Sequence, residues 1–121
     1  MPKETGHQTQ WLINHSILND LVTQNRFPDW IATVAFYTTL HSVERFLARH
    51  KEHPKDHSQR RQLLSQPKYV NLLSRQVIVD YFDMYNTSLD ARYNCIIPTA
   101  TDIQDQLARL PRIDAKVAST P

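Results

Sequence analysis

The 121-residue chain contains a single glycine, Gly6, and it lies in the N-terminal stretch. Glycine reaches the positive-φ backbone that tight hairpins need and lets a backbone come close to a phosphate. A chain nearly without it is poorly equipped for a β-rich fold, a P-loop or a dinucleotide-binding fingerprint. Helix is what such a sequence builds most easily. The hydrophobic fraction of 40% and the charged fraction of 21% belong to an ordinary globular protein and give no sign of disorder. The length suits one domain with a core that needs neither disulfide nor metal.

The apolar spacing supports this. Residues 1–8 are polar and read as a loose tail. From Thr9 to Gln24 the residues Trp11, Leu12, Ile17, Leu18, Leu21 and Val22 recur at helical intervals. Asn25 to Pro28 break that pattern, and Pro28-Asp29 starts a second helix running to His50. Its apolar set, Trp30, Ile31, Val34, Ala35, Phe36, Leu40, Val43, Phe46 and Leu47, is broad enough to sit at the centre of the core. A short third helix over Asp56–Ser65 has Asp56 placed to cap it. A fourth, expected as one continuous helix, spans Tyr69–Asn94. It includes the β-branched run Val77–Val79, because three-and-four spacing continues through Tyr85 and Leu89. Ile97-Pro98-Thr99 turns the chain into a last helix from Thr101, which Pro111 is expected to break or kink. The expected fold is therefore all-α, an up-and-down bundle of about five helices over residues 9–117.

Net charge is +2 with a pI near 8.8, which permits phosphate contacts without the dense basic stripe of an obligate nucleic-acid binder. Cys95 is the only cysteine, so no internal disulfide can form and a reducing, cytoplasmic setting fits. No apolar run approaches the roughly 20 residues of a membrane span, and no membrane partner is expected. Nothing marks a cofactor enzyme.

Three stretches, in this order, resemble a HEPN domain. They are Asp29-Trp30 leading into Val34-Ala35-Phe36-Tyr37-Thr38-Thr39-Leu40-His41, the connection through His57 to Arg60-Arg61, and Ser88-Leu89-Asp90-Ala91-Arg92-Tyr93. HEPN domains are small helical domains found beside nucleotidyltransferases and in toxin and defence systems. The resemblance implies a helical core that often forms a homodimer. In catalytic members it implies a metal-independent endoribonuclease with the signature Arg, four to six residues, then His. Arg45-Phe46-Leu47-Ala48-Arg49-His50 has that spacing. It differs from active members in two ways: Phe46 stands where a polar residue usually follows the arginine, and the motif ends the second helix instead of opening a late one.

RNA cleavage by its own 2′-hydroxyl needs a group that titrates near neutrality and a fixed positive charge for the phosphorane. Arg45 would stabilise the phosphorane and His50 would act as acid or base. Five residues on one helix separate them by about 140° of rotation, so they share a groove only if the helix ends between them or two protomers pair. The alternative makes Arg45 a solvated helix residue and His50 a cation at a helix C-terminus. His41, His57, Arg60 and Arg61 are candidate phosphate or groove contacts, although His41 also suits a hydrogen-bonded core position. Asp90, Arg92 and Tyr93 read as a structural network, with Arg92 on a carboxylate and the Tyr93 ring packed inward. No metal ligand set is expected: His50, His53 and His57 have suitable spacing, but Pro54 interrupts them. Cys95 and the aromatic residues read as core. Two functions follow: a ribonuclease acting as a homodimer, or a non-catalytic module that binds a nucleotidyltransferase partner, a nucleotide or nucleic acid.

Overall fold

The computed structural model describes residues 2–121. Among them are six helices and no strand: α1 (Glu4–Gln24), α2 (Pro28–Arg49), α3 (His57–Leu64), α4 (Pro67–Leu73), α5 (Arg75–Tyr93) and α6 (Ala100–Ser119). The all-α class follows the expectation. The element count and several boundaries do not.

α2 is the central rod and packs against α1, α5 and α6. Pro28 at its first position has no N–H to leave unpaired, and Asp29 places a negative charge in the first turn. Ile31, Ala35, Phe36, Val43, Phe46 and Leu47 are all buried, and each large side chain contributes on the order of 1.5–3 kcal/mol by leaving water. The contacts fix the directions. Glu4, at the start of α1, meets Arg45 and Arg49 near the end of α2, so those two helices are antiparallel. Met84 of α5 lies against Thr39, and Arg92 against Tyr37. Asp80 of α5 receives Nε and Nη2 of Arg112 at 3.1 Å each, while Gln106 reaches the Met84 carbonyl, which sets α6 antiparallel to α5. The result is an up-and-down bundle of α1, α2, α5 and α6, with α3 and α4 inserted in the crossing between α2 and α5.

Four expectations are corrected. The segment Tyr69–Asn94 is two helices, because Ser74 turns the chain at φ 78° and its hydroxyl accepts from Val77 N to start α5. Leu73, Val77 and Tyr81 are buried on both sides of this break, so the apolar spacing carries no sign of it. α1 begins at Glu4, inside the stretch read as a loose tail, because Glu4 is held by two arginines. α6 continues through Pro111 to Ser119, since Leu110, Ile113 and Val117 are buried on one face and packing outweighs the lost hydrogen bond. Trp30 is 58% exposed and Cys95 is exposed, although both were expected in the core. No helix among the described residues is long and apolar enough to cross a membrane.

Candidate functional site

The crossing segment brings α3 against the middle of α2 and α5, and the first turn of α3 supplies the most concentrated functional group of side chains. Asp56 caps the helix by accepting from Gln59 N at 2.8 Å. That cap sets His57, Arg60 and Arg61 on successive sides of a single turn. Arg60 points inward and is buried. It pairs with Glu44 of α2, with Nε 2.7 Å from Oε1, and its Nη1 donates to His57 Nδ1 at 2.9 Å. Because Arg60 only donates, Nδ1 must accept, and the ring proton belongs on Nε2. The His57 ring rests against Tyr85 at 4.7 Å and Phe36 at 6.0 Å between centroids. Its pKa is pushed below the ordinary 6.5, first by burial and then by the cations Arg60 and Arg92. His57 is therefore a neutral hydrogen-bond donor at neutral pH.

Arg61 faces outward, its guanidinium 4.7 Å from the centre of the Phe82 ring. A cavity of about 250 Å³ lies beside it, lined by His57, Ser58, Arg61, Tyr81, Phe82 and Tyr85. The Arg92 guanidinium lies 5.9 Å from the centre of the Phe36 ring, on which His57 also packs. Its Nη1 donates to Tyr37 Oη at 2.7 Å, and its guanidinium lies 5.2 Å from the Tyr37 ring centre and 5.1 Å from that of Tyr93. Among the described residues neither Arg61 nor Arg92 has a carboxylate within ion-pairing distance. Arg60 is matched by Glu44, Asp56 stands beside His57 at the start of α3, and Arg61 and Arg92 have no carboxylate in direct contact. Such a place can bind an anion, with π faces on its walls and hydrogen-bond donors at its rim.

The late network differs from the expectation. Arg92 bonds to Tyr37 and Ser88, not to a carboxylate, and Tyr93 is 69% exposed. Asp90 instead closes the end of α5: its carboxylate accepts from Asn94 Nδ2 at 2.8 Å and its carbonyl from Asn94 N and Ile96 N.

Arg45 and His50 are engaged separately. Arg45 Nε lies 3.3 Å from Glu4 Oε1, beside a cavity formed with Trp11, Ser42 and Asp114. His50 follows α2, its Nε2 3.0 Å from the Pro121 carbonyl and its ring against Phe46 and Tyr69 at 4.9 and 5.6 Å. No contact joins the two. His41 is partly buried, with Nδ1 3.0 Å from Nδ1 of His7, and burial with the nearby His7 pushes its pKa down to about 4.

Several residues escaped the sequence reading. Tyr85, Phe82 and Ser58 complete the cavity, yet their spacing fits a packed core equally well. Ser42 donates to Asp114 Oδ1, and Trp11 Nε1 donates to the same oxygen at 3.3 Å. Burial pushes the Asp114 carboxyl above its ordinary 3.8. Glu44 did leave a signal: it is a carboxylate on the apolar face of α2, beside Val43, Phe46 and Leu47, where it required a buried cation. No family model, curated protein or solved structure matches this chain.

Proposed function

We propose that this chain is a HEPN-like helical module that binds nucleotide units, free or within RNA, at the His57–Arg61 cavity without cleaving them. The observation that carries this reading is Arg61, a guanidinium group without a carboxylate partner on the wall of a cavity that tyrosine and phenylalanine also line, with Arg92, likewise without one, over the Phe36 ring that packs on His57 and Tyr85. Phosphate would meet the Arg61 guanidinium and the His57 Nε2–H, and a base would find the Tyr85 and Phe82 faces. The separate engagement of Arg45 and His50 favours binding over cleavage. A homodimer and a nucleotidyltransferase-type partner belong to the same proposal through the HEPN resemblance.

The test is fluorescence anisotropy of a labelled mixed-sequence RNA oligonucleotide, with a parallel cleavage assay of an RNA pool in EDTA. The expected result is salt-sensitive binding without cleavage. Arg61→Ala should weaken that binding about tenfold, the loss of one to two phosphate or stacking contacts. Cleavage in EDTA that disappears in both Arg45→Ala and His50→Ala would instead establish the ribonuclease reading. Neither binding nor cleavage by folded protein would reject both.

A further inference from the structure

α1 and α6 both pack on α2, yet they scarcely touch each other. Among the described residues the one hydrogen bond between them runs from Trp11 Nε1 to Asp114 Oδ1 at 3.3 Å. Three cavities, of about 200, 240 and 390 Å³, follow one another along the open seam. Asp114 lines the first two, and Val22 and Leu107 line the last two, so together they form one groove. Its α1 wall holds Trp11, His15, Leu18 and Val22, and its α6 wall holds Ile103, Leu107, Leu110 and Asp114. Both sets repeat at four, three and four residues, so each wall is one continuous helix face. With 21 and 20 residues, the two helices give the groove a length of about 30 Å. Ile31 of α2 forms part of the floor.

We propose that this seam is the docking groove for one amphipathic helix of a partner protein, laid between α1 and α6 with its apolar face on Val22, Ile103 and Leu107. A helix fits because its own apolar anchors repeat at three and four residues, the spacing of both walls. The charges along the groove specify that helix further. Arg26, at one end, has no carboxylate within ion-pairing distance among the described residues. Its guanidinium rests 4.7 Å from the centre of the Phe27 ring. Asp114, toward the other end, holds Ser42 and Trp11 through Oδ1 alone. No fully buried side-chain oxygen lacks a hydrogen-bond partner among the described residues, and Oδ2 has none, so Oδ2 is open to solvent. Arg45, the other charged group on the wall, is taken by Glu4. The nearby acids Asp29 and Asp102 sit in the first turns of α2 and α6, Asp102 within the Thr99 capping box. The fitting helix therefore sets a carboxylate against Arg26 and, about 14 residues along, a lysine or arginine against Asp114, matching the α6 rise from Ala100 to Asp114. A second copy presents the same concave seam, so its docking would run head to tail and would not close. The His57 cavity lies apart, on the α3 and α5 side of α2, so this groove is independent of nucleotide binding.

The probe is a synthetic peptide of about 20 residues with leucine at three-and-four spacing, glutamate and lysine about 14 residues apart, and alanine and glutamine elsewhere. Its fluorescein-labelled form is titrated with the full chain by anisotropy, beside a scrambled peptide of equal composition. The expected result is saturable one-to-one binding of micromolar affinity that the scrambled peptide lacks. Val22→Lys, at a groove position 38% exposed, should weaken that binding about tenfold or more. Ile13→Lys, 50% exposed on the opposite side of α1, should leave it unchanged. Arg26→Glu should weaken it about threefold, and replacing the peptide's glutamate with lysine should restore it. All three positions are exposed, and thermal melting checks that each variant keeps the fold. No saturable binding by folded native protein, or equal loss in Val22→Lys and Ile13→Lys, would overturn the proposal. So would a concentration-dependent rise in mass by light scattering that Val22→Lys abolishes, since a second copy would then fill the seam.

Discussion

Arg60 and Arg61 are consecutive, yet the α3 cap turns one guanidinium into the core and the other out over Phe82. Their substitutions should therefore separate stability from binding. Arg60→Met leaves Glu44 buried with no cation and should cost about 3–5 kcal/mol in urea unfolding. Arg61→Ala removes one exposed cation–π contact and should cost no more than about 1 kcal/mol, while it weakens RNA binding as described above. Equal destabilisation by the two would show that Arg61 is structural. Glu44 shows what the sequence could have revealed at this scale, since a lone acid in an apolar stripe implies a buried partner. The identity of that partner was not legible. Arg45, Arg49, Arg60 and Arg61 all carry the same charge, and only the direction of the crossing segment selects Arg60. Arg92 misled for a related reason: an arginine near Asp90 suggests an ion pair, but α5 places its guanidinium over aromatic rings and against the Tyr37 hydroxyl.

Between the helices, scarcity of glycine has a consequence beyond excluding strands. Asn25, Phe27, Lys51, Ser74 and Cys95 all have positive φ, and none is glycine. The turns exist, and side chains that disfavour them occupy them. Ser74 is the most costly of these: at φ 78° and ψ 151° it lies in a region that essentially only glycine visits freely. Ser74→Gly should relieve on the order of 1–3 kcal/mol of strain while losing a few tenths with the cap to Val77, so the melting temperature should rise. A lower melting temperature would mean that the hydroxyl cap matters more than the backbone. Pro111 gives a similar test in α6. Its residue is exposed, its ring replaces an N–H donor in mid-helix, and Pro111→Ala should stabilise the protein by about 1–3 kcal/mol in the same assay. Helix identity was legible throughout from three-and-four spacing. The Ser74 break and the passage through Pro111 were not, because direction changes and tertiary packing leave no periodic trace.

Taken as one titrating body, the molecule stores three of its six histidines neutral. His7, His41 and His57 all have pKa values pushed below the ordinary 6.5, in each case first by burial, and His41 reaches about 4. A histidine with a depressed folded pKa binds fewer protons folded than unfolded, so its contribution to stability is complete above about pH 7.5 and is lost as pH falls through 6.5. His41 alone should contribute about 2 kcal/mol less at pH 5 than at pH 7.5, following 1.36 kcal/mol per pH unit between the two pKa values. Its partner His7 shares the Nδ1 contact, so the two rings should take up the first proton as a unit. Glu4 acts in the same direction at lower pH. Its hydrogen bond from Arg49 holds its carboxyl below the ordinary 4.5, and that support disappears as the group protonates. Asp114 acts in the opposite direction, since burial raises its pKa and acid therefore favours its folded form. Acid lability should accordingly begin near pH 6.5, where unfolding lets His7, His41 and His57 take up protons, and the urea midpoint should drop steadily toward pH 5. His41→Gln should flatten most of that slope, and Asp114→Asn should deepen it below about pH 5 by removing the one compensating group. A urea midpoint constant from pH 7.5 to 5 would mean that the three histidines already reach solvent in the folded protein, and with it the buried, lone-pair-bearing His7–His41 contact would fail as a description of how α1 is fastened to α2.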